Sequence, residues 1–221
     1  MDRHFHGELQ LLTERLTAMG ALVESRVRDA LAAIADRQVD LAVRVATGDD
    51  AVNVLELEVD DLCLRALALQ SPVASDLRLI RSVIKANTDL ERIGDQAVNI
   101  AQAALDLIEH APLDPQQEVL ALGEVALEML HDSLTAFVGL DVALAERVLE
   151  RDDRADAMRD GLFQALLTRM RSAPDTIYPG QGLITVARGL ERIADHATNI
   201  AEDLIFLVQG RDVRHNRGHV A

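Results

Sequence analysis

The chain repeats itself. Leu90-Glu-Arg-Ile-Gly-Asp-Gln-Ala-Val-Asn-Ile-Ala101 returns 100 residues later as Leu190-Glu-Arg-Ile-Ala-Asp-His-Ala-Thr-Asn-Ile-Ala201. A weaker pair, Asp49-Asp50-Ala-Val-Asn53 and Asp152-Asp153-Arg-Ala-Asp156, recurs at an offset of 103. Two landmarks repeated in the same order predict that residues 1–111 and 112–210 are structural copies of one unit, followed by a polar tail, 211–221, expected to be disordered.

Five prolines, Pro72, Pro112, Pro115, Pro174 and Pro179, divide the chain. Each would cost about 3 kcal/mol inside a helix, so they mark breaks. Helices are predicted near 5–36, 39–70, 74–110, 115–139, 141–171 and 178–209, which gives three per copy. Gly48 is a point where the second could be interrupted, and Asp141 is a natural N-cap for the fifth. On the third helix Leu79, Val83, Ala86, Leu90, Ile93, Ala97, Ile100, Ala104 and Leu107 follow one another by fours and threes. Leu183, Val186, Leu190, Ile193, Ala197, Ile200, Leu204 and Leu207 do the same on the sixth. Such a seam belongs to long helices in a bundle. Aromatics are 2% of the chain and Trp is absent, so the core is aliphatic. A core short of strand-favouring aromatics predicts an all-α fold of two tandem three-helix bundles.

A net charge of −15 argues against nonspecific nucleic-acid binding and against docking on an anionic leaflet. It suits cations, basic protein surfaces or simple solubility. With Cys63 as the one cysteine there is no intrachain disulfide. Its apolar setting, between Leu62 and Leu64, predicts a buried structural thiol. The N-terminus lacks the apolar core of a signal peptide, and no stretch is long and apolar enough to span a bilayer. A cytoplasmic protein is expected.

Candidate site residues come from the repeat. Glu91/Asp95 and Glu191/Asp195 are i, i+4 pairs, so their side chains are neighbours. Helical projection places them, with Asn99, Gln102, Asp106, Asn199 and Glu202, on a face turned away from the seam. Like charges at that spacing cost a few tenths of a kcal/mol. Arg92 and Arg192 point elsewhere on the helix, so a hard or borderline cation is one way to offset the cost. Oxygen donors suit Mg, Ca, Mn or Fe, and a solvated acidic face is the bland alternative. His196 is a further possible nitrogen ligand, with Gln96 standing in its place in the first copy. Glu128-Met-Leu-His131 has di-iron spacing, but such sites need two of these pairs. His215 and His219 fall in the tail, and His4 and His6 are expected to fray. There is no P-loop, dinucleotide fingerprint or nucleophile motif, so no enzyme is expected.

The run Leu67-Ala-Leu-Gln-Ser-Pro-Val-Ala-Ser-Asp-Leu-Arg78, then Thr88-Asp-Leu-Glu-Arg-Ile-Gly-Asp95 and the 190–201 segment, resembles the PhoU phosphate-signalling family. The resemblance extends from Met19-Gly20 to about Gly210. It implies two tandem three-helix bundles carrying Glu/Asp-x-x-x-Asp motifs that bind iron- or zinc-containing clusters on the bundle surface. Carried onto this chain, the metal residues are Asp49, Asn53, Glu91 and Asp95 in the first copy, and Asp152, Asp156, Glu191 and Asp195 in the second. Asn53 departs from the acidic pattern, so the second copy is the better candidate. The resemblance also implies a regulator of phosphate homeostasis. It would link the ATPase subunit of a high-affinity phosphate ABC transporter to a sensor histidine kinase, hold the starvation response off and restrain uptake. It would be peripheral at the inner membrane through those proteins. A homodimer suits the abundant apolar residues. The rival readings are an accessory regulator of another phosphate or cation transporter, and a metal-dependent enzyme.

Overall fold

In the computed structural model, residues 2–48, 50–70 and 72–213 are described, with residues 2–6, 69 and 70 as backbone alone. Asp49, His215, His219, the tail from 214 and the side chains of His4 and His6 lie outside the described residues.

The helices are α1 (Asp2–Ala35), α2 (Val39–Thr47), α3 (Asp50–Gln70), α4 (Ala74–Ile108), α5 (Gln116–Gly139), α6 (Val142–Ser172) and α7 (Ile177–Gln209), with one 3-10 turn at Pro174–Thr176 before α7. No strand occurs among the described residues. The predicted helix over 39–70 is two helices, parting at Gly48. Gly48 is forced there by a close approach. A Cβ on it would lie 2.8 Å from the backbone carbonyl oxygen of Arg44 and 2.8 Å from Nη2 of Arg26. Asp141 caps α6 as its sequence position predicts, its carboxylate accepting the Leu144 N–H at 3.0 Å.

In the first unit α1, α2, α3 and α4 pack together, and in the second α5, α6 and α7. The units join through α4 against α7 and through α1 against α5, so α7 touches α4, α5 and α6 at once. The seams of the third and sixth helices lie inside: Leu90, Ile93 and Ile100 are fully buried, as are Leu190, Ile193 and Ile200. On α1 the matching stripe is Leu12, Leu16, Met19, Val23, Val27, Ala30 and Ile34. Each large aliphatic side chain buried this way stabilises the fold by roughly 2 kcal/mol. Arg37, at a φ of 55° beyond the end of α1, donates from Nη2 to the carbonyls of Ile108 and His110, tying α1 to the end of α4.

Candidate functional site

The acids of the second copy stand where α6 meets α7. Asp152 and Asp156 are one turn apart on α6, and Glu191 and Asp195 one turn apart on α7. Asp152 is only 8% exposed, and its Oδ1 accepts a hydrogen bond from Thr198 Oγ1 at 3.0 Å. Asp195 shows the crowding. Burial, then the charges of Glu191, Asp152 and Asp156 in falling order, push its pKa up to about 6, with His196 opposing. Four carboxylates therefore share one region, and they do so across two helices.

One cation stands among them. Nη2 of Arg159 lies 3.3 Å from Asp156 Oδ1 and 3.5 Å from Glu191 Oε1, and Nη1 lies 2.9 Å from Asp160 Oδ1. Its Nε is buried without a hydrogen-bond partner among the described residues. No three His, Cys, Asp or Glu side chains among the described residues converge into a ready-made metal cage. The donor chemistry suits a hard or borderline cation, since the charges of Glu191, Asp152 and Asp156 converge on Asp195. Withdrawal of Arg159 would free Asp156 and Glu191 to ligate.

In the first copy Glu91 and Asp95 are one turn apart on α4, and Asn53 is half-buried on α3. Here the sequence expectation needs correcting. Arg92 does not point away from the acids. Its Nε lies 3.3 Å from Glu91 Oε2 and its Nη1 3.5 Å from Asp95 Oδ2. A long, flexible side chain reaches back over positions that helical projection separates.

The outward placement of the acidic stripe holds for Asn99, Gln102, Asp106 and Asp195, which are exposed, and needs correction at Glu202. Glu202 is only 7% exposed, and Asp152 is similarly covered. Projection locates a single seam, but α7 is packed on three sides, and α6 covers part of the face opposite the seam. His196 does not face the acids as a ligand. Its Nδ1 lies 2.7 Å from Asp89 Oδ1, across the junction between the copies, and Asn199 Nδ2 donates to the same oxygen at 3.1 Å. His131 pairs with Glu24 at 3.3 Å on the surface. Cys63 is buried, and burial, with the nearby Asp60 charge, pushes its thiol up to about 12.

The sequence reading also missed a buried charge. Asp203, 1% exposed, lies 3.3 Å from Arg81 Nη1 and 3.2 Å from Lys85 Nζ, while Ser82 Oγ donates to its backbone carbonyl at 3.0 Å. The signal was present in the positions where the repeats differ. Counted at the offset of 100, Asp203 answers to Ala103, Asp89 to Gly189 and His196 to Gln96.

A duplicated three-helix bundle bearing paired carboxylates on matching helices defines the class: a tandem all-α repeat protein with an acidic helix-pair site. The PhoU domain model matches residues 16–104 and again 119–204. The chain belongs to the PhoU family. It is 38% identical over 216 residues to the phosphate-specific transport system accessory protein PhoU of Escherichia coli strain K12, covering 97% of this chain and 89% of that protein. It is 41% identical over 217 residues to the homologue from Pseudomonas aeruginosa, covering 97% and 89%. The crystal structure of Pseudomonas aeruginosa PhoU superposes with a TM-score of 0.91 at 40% identity, over 94% of this chain and all of that one. The phosphate transport system regulatory protein PhoU of Streptococcus pneumoniae gives 0.88 at 31%, over 95% and 99%.

Proposed function

We propose that the protein is a non-catalytic, cytoplasmic regulator of phosphate transport. It acts as an adaptor between the ATPase subunit of a phosphate ABC transporter and a sensor histidine kinase, and it restrains uptake and the starvation response when phosphate is plentiful. The observation that carries this is the near full-length match to proteins named as accessory to a phosphate-specific transport system. Those names favour this reading over a regulator of some other transporter. No helix among the described residues is long and apolar enough to cross a membrane, so any hold on a transporter would run through protein surfaces. Val54, Leu57 and Leu64, each more than half exposed, lie on one side of α3 around the exposed Asp61 and offer apolar contacts to a partner.

The metal reading belongs to the same proposal. Asp152, Asp156, Glu191 and Asp195 would hold iron or zinc in the second copy, with Mg, Mn or Ca also suited to the oxygens. In the first copy Asp49, Asn53, Glu91 and Asp95 form a weaker set, because the Asn53 amide is neutral. When bound, the metal supplies positive charge that joins α6 to α7. The carboxylates would ligate it, Thr198 would hold Asp152 in place, and Arg159 would neutralise the acids in its absence.

Co-purification from cells grown at high and at low phosphate tests the adaptor role. Capture of the transporter ATPase and the kinase is expected, with loss in Leu57→Glu/Leu64→Glu. No association at either phosphate level, together with an unchanged starvation reporter in a deletion strain, would refute it. Elemental analysis of protein purified without an affinity tag tests the metal. Asp152→Ala, Glu191→Ala and Asp195→Ala should each lose bound metal while keeping their helical signal.

A further inference from the structure

The junction of α4 and α7 is built from equivalent segments of the two copies, so its two ends should look alike. They do not. At one end Asp203 is locked between Arg81 and Lys85, and the Arg81 guanidinium lies 4.2 Å from the centre of the Phe206 ring. Arg78 Nε also donates to the Leu207 carbonyl at 3.3 Å. At the other end the equivalent positions carry smaller side chains. Ala103 stands for Asp203, Thr185 for Lys85, Gln181 for Arg81 and Asp106 for Phe206. The helices still approach closely there, because a Cβ on Gly189 would lie 3.0 Å from Ile100 and one on Gly182 2.9 Å from Leu107. What remains is an open cleft of about 510 Å³, a volume within the range of small-molecule sites.

The lining is chemically specific. Arg188 and Arg192, one turn apart on α7, border the cleft and make no ion pair among the described residues. Two unpaired guanidiniums side by side in a chain of net charge −15 are a local reversal of sign. The amides of Gln96, Asn99 and Gln102 add hydrogen-bond donors along α4. Guanidinium forks and amide donors in this combination match phosphate oxygens.

The far end of the cleft differs in kind. His110 and Tyr178 form a tilted ring pair with centroids 5.1 Å apart, beside Asp106, the one carboxylate in the lining. Ten residues of α7 separate Tyr178 from Arg188, or about 15 Å along the helix. That reach is too long for a single inorganic anion to touch both ends. Aromatic faces at one end take a planar base by stacking, and a carboxylate beside them accepts hydrogen bonds from ribose hydroxyls.

We propose that the cleft between α4 and α7 binds a nucleoside phosphate, with its phosphates on Arg188 and Arg192 and its base against Tyr178 and His110. The site lies on the α4 side of α7, whereas the acidic site faces α6; Arg188 stands at the boundary, since it also borders the pocket lined by Arg159 and Asp160. It goes beyond the phosphate-regulator reading and stands or falls separately from the partners proposed above.

Calorimetric titration of the chelator-treated full-length protein with ATP, ADP, adenosine and inorganic phosphate tests it. ATP or ADP should bind at least about tenfold more tightly than adenosine or inorganic phosphate, since each end alone supplies part of the contact. Arg188→Gln and Arg192→Gln should each weaken nucleotide binding by about tenfold, with Arg192→Lys partly restoring it. Tyr178→Ala should weaken nucleotide binding and leave the weak phosphate titration unchanged. Arg92→Gln, at the matching position of the first copy, should have no effect on nucleotide affinity. The proposal is overturned if no nucleotide binds, if inorganic phosphate or adenosine binds as tightly as ATP, or if the Arg188 and Arg192 variants bind nucleotide like the wild type. All of these side chains are on the surface, and thermal melts will confirm that the variants remain folded.

Discussion

Replacing Asp195 by Asn should stabilise the metal-free protein at neutral pH. Asp195 is held among carboxylates, and its pKa rises from the ordinary 3.8 to about 6 through burial first and then Glu191, Asp152 and Asp156. An acid whose folded pKa exceeds its unfolded value holds its proton more tightly in the folded chain. Below the unfolded pKa both states are protonated and nothing is lost. As pH rises from about 4 to about 6 the unfolded chain ionises while the folded one resists, so folding weakens, and above about 6 the loss is constant. Fully expressed, that difference is roughly 3 kcal/mol. Asp195 is exposed along one side, so water and salt screen much of it, and about 1 kcal/mol is the expected effect.

In a chain of 221 residues, about 1 kcal/mol corresponds to roughly 3 °C in the melting midpoint. Thermal melts and urea titrations of chelator-treated wild type and Asp195→Asn, at about pH 4 and about pH 7.5, are the assay. The variant should be the more stable at the higher pH and indistinguishable at the lower. A variant that is no more stable near neutral pH, or whose gain persists unchanged at pH 4, would show that the carboxylates do not crowd Asp195. Adding a divalent cation that binds here should reverse the ranking, because a ligand held by the folded state alone stabilises it and the variant's neutral amide is a poorer donor than the Asp195 carboxylate.

Asp203→Ala should destabilise by about 2–3 kcal/mol, since it opens a void and strands Arg81 and Lys85, which are each about one-third exposed. Asp203→Asn should cost less than about 1 kcal/mol in urea unfolding, because burial outweighs Lys85 and Arg81 in setting the pKa of Asp203, which lies above the ordinary carboxylate value. Cys63, buried with its thiol pushed up to about 12, should resist alkylation in native protein and react only as the chain unfolds; a fast native reaction would place it at the surface. Leu140, exposed and at a φ of 52°, should gain about 1 kcal/mol on replacement by Gly, read as a raised melting midpoint.

The helices were legible because their signals are local and periodic. Prolines and caps marked ends to within a few residues, as at Asp141, and the fours-and-threes spacing identified Leu90, Ile93 and Ile100 as core. Two kinds of information were not periodic. Gly48 marked the break, but the approach of Arg26 Nη2 to it comes from another helix. The burial of Asp152 and Glu202 depends on α6 lying over α7, which no single-helix projection contains. The reach of Arg92 back to its own acids is a matter of side-chain length, and Cα angles alone give the wrong answer. The repeat was read for what it conserves between copies, which located the paired acids. Its differences, at Asp203, Asp89 and His196, held the rest of the information.

Those differences give the molecule its polarity. A perfect duplication would present two equivalent ends and two equivalent acidic sites, and a partner could not tell one end from the other. Here the changes fall on both sides of α4 and α7 together. Asp203, Arg81, Lys85 and the Asp89–His196 pair fasten one end of the junction, while Ala103, Gly189 and Thr185 leave the other open. On the outer helices, Asn53 removes a charge that Asp156 keeps, so the two acidic sites also differ. Fastening one end matters energetically. The packing of α4 on α7 and of α1 on α5 joins the copies, and Asp203 with Arg81, Lys85 and Ser82 adds polar contacts at one end that the other end lacks. The α7 helix then presents Glu191 and Asp195 toward α6 and Arg188 toward the cleft, two opposite charge characters within about two turns of the same rigid element.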